Sequence, residues 1–512
     1  MEHFPWWNEA QKELKDEAQK LVDEVLLPST LRDIQLTRYP WDAVRVVAEK
    51  GWFGALVPEK YGGMYETLGV TGSTIIAEEL SRAGGLASAY GGTAFGAVHQ
   101  IMESGSDEQK ERWLPRLAKG ELFGAITMTE PYAGSDISSL ESSAVPDGDG
   151  YIVDGIKRFQ TGAGAAHLYM TYVKTSDDPE DIRRHRHLTG VIMERGMPGF
   201  SVERFNEWSG APGAYNCYLR FDQVKVPQEN VIGAEGEGWQ VMMAGVNVER
   251  ILNAAYYLGA MRESIRYAKQ HLERRVQFGR PTGSIAVNQF KLADMYTKLQ
   301  MSRLLVYYAA HCADLGVEVP VEAAMAKLIG SESSFEVARE AIQCMGGNGC
   351  MHNYYPTAQN LSAAKQAEIA AGTSEIMRLL IYRMADRQYA QHLQPYRREY
   401  DEELAAVLPV ARTAAPKAVE SERDVLAVLA EDYRVNPGLH MTFADIREYL
   451  DADDETLAEH LSSLEEQGLA SQYRDRRGRV RMVRATVKGI KEAFPPEHYR
   501  HIPDWVLPDD TF

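Results

Sequence analysis

AEIAAGTSEIMR, Ala367 to Arg378, lies late in a 512-residue chain and joins two helical segments through a glycine and a pair of hydroxyls. Alone, Gly372-Thr373-Ser374 reads as a helix stop followed by a new N-cap, since Thr and Ser oxygens accept from the free N–H groups of a first helical turn. What the string means depends on its surroundings, and on Ala371, a residue with no side-chain chemistry.

Upstream, Gly238 to His271, Val287 to Leu315 and Pro320 to Cys344, with Asn360 to Tyr396 around the loop itself, have the lengths of an antiparallel four-helix bundle. Before them the habit is different. Tyr151 to Gln160, His167 to Thr175, Leu188 to Glu194, Gly199 to Glu207 and Asn216 to Val226 are short runs rich in Val, Ile, Tyr and Phe, separated by Gly, Pro and Asp. That is the pattern of an antiparallel sheet, with Asp147-Gly148-Asp149-Gly150 as a hairpin connection. Earlier still, Leu14, Ala18, Leu21, Val22 and Val25 recur at helical spacing, and helices continue to about Gly120. The expected fold is mainly α with a central β domain: helices over 1–123, a β domain over 124–235 and a four-helix bundle over 236–398. An Ala/Pro/Val-rich linker over 399–420 then leads to a module over 421–512, whose three helices and alternating hairpin around Arg476-Arg477-Gly478 describe a winged helix.

The totals agree. A chain this long exceeds one compact core and implies three or four domains. A net charge of −18 argues against non-specific nucleic-acid binding. Cys217, Cys312, Cys344 and Cys350 show no CxxC spacing, so a reduced compartment is expected and no metal site is. The charged, helical first residues do not read as a signal peptide, no run of apolar residues is long enough to read as a membrane span, and the cytoplasm is the expected location.

Four strings carry the chemistry: GAITMTEPYAGSD (Gly124 to Asp136), RRVQFG (Arg274 to Gly279), QCMGGNG (Gln343 to Gly349) and AGTSE. The first groups Thr127, Thr129, Ser135 and Gly134, donors suited to a polar planar ligand or a phosphate. In this order and spacing the four resemble the acyl-CoA dehydrogenase family, over roughly residues 5–395. The resemblance implies a homotetramer, or a homodimer, with FAD held between the β domain and the bundle. Ile126, Thr127, Met128, Thr129 and Ser135 would border the flavin ring, with Phe159 and Thr161 on its far face. Arg275, Phe278, Gln343, Gly346 and Gly347 would reach a neighbouring subunit's FAD, and Thr373 and Glu375 would complete the contacts. Ser135, Asn247, Arg250, Ala370 and Gly372 form the implied substrate-binding set.

The implied reaction takes the proton α to a thioester carbonyl while the β-hydride moves to flavin N5. A carboxylate manages this only if the carbonyl oxygen is stabilised by preorganised donors. In most of the family the base is the Glu of a Tyr-Glu-Gly-Thr string; here that string is Ala370-Ala371-Gly372-Thr373. The backbone N–H at Ala371 remains as an oxygen-binding donor, and the base is gone. The isovaleryl-CoA and long-chain members place it elsewhere, in a string like LDLER, and here GVNVERI puts Glu249 at that position. Ala286, Ser362-Ala363-Ala364-Lys365 and Cys350 depart from the family pattern.

The implied activity is α,β-dehydrogenation of an acyl-CoA, electrons leaving to an electron-transfer flavoprotein. Ala370, Gly91-Gly92, Ala94, Ala254 and Ala255 suit either a branched, cyclic or aryl acyl group or close helix packing. Rival readings are an oxidase or enoyl-CoA reductase on the same fold, and a flavin- or CoA-sensing DNA-binding regulator. The last is disfavoured: the would-be recognition helix, Asp454 to Gln467, carries Asp454, Glu455, Glu459, Glu465 and Glu466 with no Lys or Arg, leaving only a basic wing. An interaction or packing role for the module is expected instead.

Overall fold

The structure is a computed structural model and describes residues 3–29, 38–84, 86–211, 213–351, 356–389, 416–435 and 438–499. The chain divides into two units, residues 1–390 and 391–512.

The first helices start where the sequence supplies a cap. Asn8 and Ser106 accept the amide three residues on while Gln11 and Gln109 reach back, so α1 (Glu9–Leu21) and a later helix (Asp107–Ala118) open with closed capping boxes. Between them lie α2 (Trp41–Glu49), α3 (Tyr65–Ser81), and α4 (Leu86–Thr93), which runs through a wide turn, Ala94–His99, into α5 (Gln100–Ser104). The Asp107–Ala118 helix is α6.

The β region is one eight-stranded sheet. In chain order its strands are β1 (Gly124–Thr127), β2 (Ser143–Asp147), β3 (Gly150–Gln160), β4 (Leu168–Lys174), β5 (Leu188–Glu194), β6 (Phe200–Phe205), β7 (Cys217–Pro227) and β8 (Val231–Ile232). The order across the sheet is β6-β7-β3-β2-β4-β5-β8, with β1 paired parallel to β4. The five expected strands are present; β2 was implied only as the first arm of the Asp147–Gly150 hairpin, β1 and β8 were not anticipated, and β1 opens the Gly124–Asp136 string. Its parallel partner, Leu168 to Thr171, lies far along the chain, out of reach of a local pattern. Two glycines let the α4–α5 run lie directly on β1. A Cβ at Gly92 would sit 2.8 Å from the Gly124 carbonyl oxygen, and one at Gly96 3.1 Å from the Ile126 nitrogen.

The helices return as α7 (Gly238–Ala244), α8 (Val246–Arg274), α9 (Ala286–Asp314), α10 (Pro320–Met345), α11 (Thr357–Ala367) and α12 (Ser374–Tyr389). A small hairpin, β9 (Val276–Gln277) and β10 (Arg280–Pro281), links α8 to α9. The last bundle element is thus two helices broken at the Gly372 loop. No helix among the described residues is long and apolar enough to cross a membrane.

One apolar core runs from the N-terminal helices into the bundle, and a buried charge cluster is set within it. Glu78 and Glu79 on α3 are fully buried. Glu79 pairs with Lys15 of α1, with Arg262 of α8 and with Arg82 at 2.8 Å. Glu78 takes Arg262 at 2.9 Å, the Tyr307 hydroxyl at 2.7 Å and Arg303 of α9 at 3.3 Å. Arg82 reaches on to Glu263 at 2.8 Å. Burial alone would raise the Glu78 carboxyl, but Arg303, Arg262 and Lys15 outweigh it and hold it below the usual carboxylate range.

The second unit has its own core, centred on Val425, Leu429, Ile446, Leu457, Leu461 and Val483. It comprises α13 (Glu422–Val435), α14 (Phe443–Arg447), α15 (Asp454–Glu466), an antiparallel hairpin of Ala470–Arg474 with Val480–Ala485, and α16 (Val487–Ala493). Of the expected linker, residues 399–415 lie outside the described residues. Lys417–Ala418 are not linker: they pair in parallel with Leu450–Asp451.

Glu79→Ala would leave Lys15 and Arg262 without this buried carboxylate. The expected loss is about 3–5 kcal/mol, against about 0–1 kcal/mol for deleting the exposed Lys50–Glu17 pair, both read from denaturant midpoints.

Candidate active site

Glu249 lies in the first turn of α8, just past Gly245. A helix start favours a carboxylate, yet this one is crowded by protein and mostly covered. Among the described residues no donor bonds to it. Burial pushes its pKa up to about 7, with the adjacent Arg250 opposing the shift. Arg250 is itself buried, its Nη1 3.4 Å from Asn247 Oδ1 and its Nε without a partner among the described residues. Tyr172, Tyr256 and Tyr257 are near enough for the Glu249 charge to help raise their hydroxyls.

The Ala370–Thr373 loop bears the opposite imbalance. Ala371 has φ 54 and Gly372 φ 91, so an alanine is held in the left-handed region that normally goes to glycine. No acceptor among the described residues takes the Ala371 N–H. The next carbonyl, that of Gly372, accepts from Lys327 Nζ at 2.6 Å. Lys327 comes from α10 and is fully buried, and burial pushes its pKa down to about 8. Glu368 counteracts that shift, while Arg250 adds to it, so the Glu249–Arg250 turn lies within electrostatic reach of the loop's anchor. The Tyr257 hydroxyl, two turns past Glu249, also donates to the Ala367 carbonyl at 3.3 Å. Nothing in AAMAKLIG marks Lys327 as more than a helix lysine, and sequence reading missed it.

The β1 loop is pinned from below. Lys157 Nζ donates to Glu130 at 2.7 Å, the Tyr172 carbonyl at 2.6 Å and the Met128 carbonyl at 3.3 Å. Glu130 in turn accepts the amides of Glu141 and Ser142. The Arg158 amide and Gln160 Nε2 both donate to the Thr129 carbonyl, at 2.7 and 2.9 Å. Those bonds bring Ile126, Met128 and Thr129 beside Phe159 and Thr161. Phe159 has φ 63 and is 52% exposed, with the Arg158 guanidinium over its ring. Thr161 Oγ1 accepts from Asn216 at 2.8 Å. Thr127 differs from its neighbours: strand alternation buries it, and its hydroxyl bonds to Met170 and Thr171 within the sheet. Ser135 is exposed beyond Gly134.

Thr373 Oγ1 accepts the Ile376 amide at 3.3 Å, which caps α12, and Glu375 is exposed in that helix's first turn. Arg275 and Phe278 stand on the β9–β10 hairpin, roughly 40 Å along α8 from Glu249 at 1.5 Å per residue. Phe278 is 93% exposed at φ 52. Gln343, Gly346 and Gly347 close α10, and a Cβ at either glycine would meet nothing within 4 Å. The bundle's antiparallel course puts this end of α10 with the hairpin, away from Glu249.

Half-open hydroxyls, an exposed ring and bare glycine backbone suit a planar, polar, phosphate-bearing group. Three family models match the chain: acyl-CoA dehydrogenase N-terminal domain over residues 8–121, middle domain over 125–224 and C-terminal domain over 236–385. The mitochondrial isovaleryl-CoA dehydrogenase of Oryza sativa subsp. japonica is 38% identical over 381 residues, 74% of this chain and 91% of that protein. The cyclohex-1-ene-1-carbonyl-CoA dehydrogenase of Geobacter metallireducens is 33% identical, covering 73% and 97%. The solved butyryl-CoA dehydrogenase of Megasphaera elsdenii aligns with a TM-score of 0.71 at 31% identity, over 75% of this chain and all of that one. The fold and site define a flavin-dependent oxidoreductase. The chain belongs to the acyl-CoA dehydrogenase family.

Lys327→Met keeps the length of the side chain and removes its hold on the Gly372 carbonyl. We expect kcat/KM to fall by about 100-fold, the scale of a misplaced reacting group, while bound flavin absorbance is retained.

Proposed function

We propose that this protein is an FAD-dependent enzyme that removes the α-proton and β-hydride from a branched, cyclic or aryl acyl-CoA, with Glu249 as the base. One pairing of observations carries the reading: the Glu249 carboxylate has no described donor, and the Ala371 N–H has no described acceptor. A thioester enolate needs both, a base near its α-carbon and a donor at its oxygen. Glu249 takes the α-proton, and the Ala371 N–H donates to the carbonyl oxygen as charge builds there. Burial tunes the base toward neutrality. Ile126, Met128, Thr129, Phe159, Thr161, Thr373 and Glu375 would hold the cofactor, and Asn247, Arg250, Ala370, Gly372 and Ser135 would border the substrate. When bound, FAD supplies the hydride acceptor. Electrons then leave to an electron-transfer flavoprotein; oxygen consumption in place of that transfer would mark an oxidase.

The active unit in this reading is a homotetramer or homodimer. Arg275 and Phe278 are too far along α8 to serve the site of their own Glu249, so they would serve another chain's FAD. Helix α9 also shows an apolar stripe of Val287, Phe290, Met301, Leu304 and Tyr308, Phe290 being 67% exposed. An open groove of about 380 Å³ between α9 and α10 begins at Val287 and Phe290. For the second unit we propose a winged-helix-like module that binds protein rather than nucleic acid, because α15 presents Asp454, Glu455, Glu459 and Glu466 to solvent.

Glu249→Gln is expected to slow flavin bleaching by acyl-CoA by roughly 10²–10⁴-fold with the cofactor still bound. Turnover near the wild-type rate would refute the assignment. Adding Ala371→Glu to that variant should restore part of the rate if both positions face one α-carbon. Because a base must be deprotonated to act, kcat/KM of the wild-type enzyme should rise through pH 7 and level off above it. Met301→Arg with Leu304→Arg should break the assembly, seen as a smaller species in sedimentation.

A further inference from the structure

Past Glu249, helix α8 carries Asn253 and then Tyr256, at the i+4 and i+7 positions that share a face. A Cβ added at Gly91 of α4 would overlap the Tyr256 hydroxyl oxygen, and Phe95 borders the same point. The phenol therefore projects into the seam between α8 and α4. Through Gly92, α4 lies on β1, the strand that carries Ile126 and leads into Met128. This also decides what the small residues do. Gly92 allows close packing, Ala254 and Ala255 are fully buried in the core, and the space left by Gly91 is filled by the phenol.

Other phenols in this cluster are satisfied. Tyr90 bonds Ser73 at 2.7 Å, Tyr172 bonds Gln100, and Tyr257 reaches the Ala367 carbonyl at 3.3 Å. The Tyr256 hydroxyl is buried and has no partner among the described residues. Burial keeps it protonated well beyond the ordinary tyrosine range, so it is a neutral donor. Asn253 spends its amide N–H on the Glu249 carbonyl at 2.9 Å, which leaves its side-chain oxygen unused among the described residues. A protein that retains an unpaired buried hydroxyl beside its reacting centre retains a place for a polar ligand atom.

Building on the acyl-CoA reading, we propose that Tyr256 is a specificity-determining residue and that the preferred acyl group carries an oxygen in its distal half, a hydroxyl, keto or phenol oxygen that accepts from Tyr256. The spacing favours an oxygen beyond the β-carbon, since Tyr256 stands about 10 Å along the helix axis from Glu249.

The test compares matched CoA esters on the holoenzyme: hexanoyl against 6-hydroxyhexanoyl, and 3-phenylpropanoyl against 3-(4-hydroxyphenyl)propanoyl. Stopped-flow bleaching measures kcat/KM, and calorimetry on the Glu249→Gln holoenzyme measures affinity without turnover. The oxygen-bearing ester of at least one pair should be preferred by about tenfold or more, as expected when a site's buried donor is otherwise left unpaired. Tyr256→Phe should bring that ratio toward one while raising the melting temperature, because it removes an orphaned hydroxyl and breaks no described hydrogen bond. Gly91→Ala, which displaces the phenol, should lose the preference by a separate route. A wild-type ratio of one or less in both pairs, or a ratio unchanged in Tyr256→Phe, overturns the proposal. A calorimetric preference with no bleaching by any ester would uphold the role of Tyr256 and refute the dehydrogenase reading instead.

Discussion

Two adjacent buried glutamates hold this architecture in register. Glu78 and Glu79 draw Lys15, Arg262, Arg303 and Tyr307 toward one point, and so tie α3 to α1, α8 and α9. Ionic clusters of this kind add little net stability over apolar packing, because desolvation offsets most of the attraction. They are intolerant of misplacement, however, since any shift strands a charge. That intolerance fixes α8, and α8 carries Glu249 at one end and leads into Arg275 at the other.

The site follows the opposite rule. In the buried cluster each charge finds a partner, whereas around α8's first turn the polar groups are left short. Among the described residues the Glu249 carboxylate lacks a donor, Ala371 N–H an acceptor, and Arg250 Nε and the Tyr256 hydroxyl a hydrogen-bond partner. Such groups are expensive in a finished interior and are expected where a ligand completes the arrangement. Backbone strain marks Ala371 as well, together with two more distant predicted contacts. Phe159, Phe278 and Ala371 are three of the six non-glycine residues held at positive φ among the described residues, and each belongs to a predicted contact.

The order of helical and sheet regions was legible because burial imposes periods of 3.6 and 2, which Leu14-Ala18-Leu21 and the Tyr151 and Leu188 runs display. β1 was not legible, because four residues bounded by a loop offer too little alternation and their parallel partner is distant in sequence. Thr127 was grouped with Thr129 and Ser135 as a hydroxyl donor, and with Met128 by the family resemblance. Alternation turned its hydroxyl into the sheet instead.

The sequence by itself determined the family, through four strings in fixed order, and pointed to Glu249 through the vacancy at Ala371. Both are matters of residue identity along the chain. Only the tertiary structure decided that Lys327 anchors the Gly372 carbonyl, that Lys157 and Glu130 pin the β1 loop, and that Tyr256 fills the space beside Gly91. A lysine or tyrosine within a helix looks the same whether it meets water or a carbonyl from a distant segment. Its meaning lies in desolvation and in the partner it finds, and both arise only when the helices close on one another.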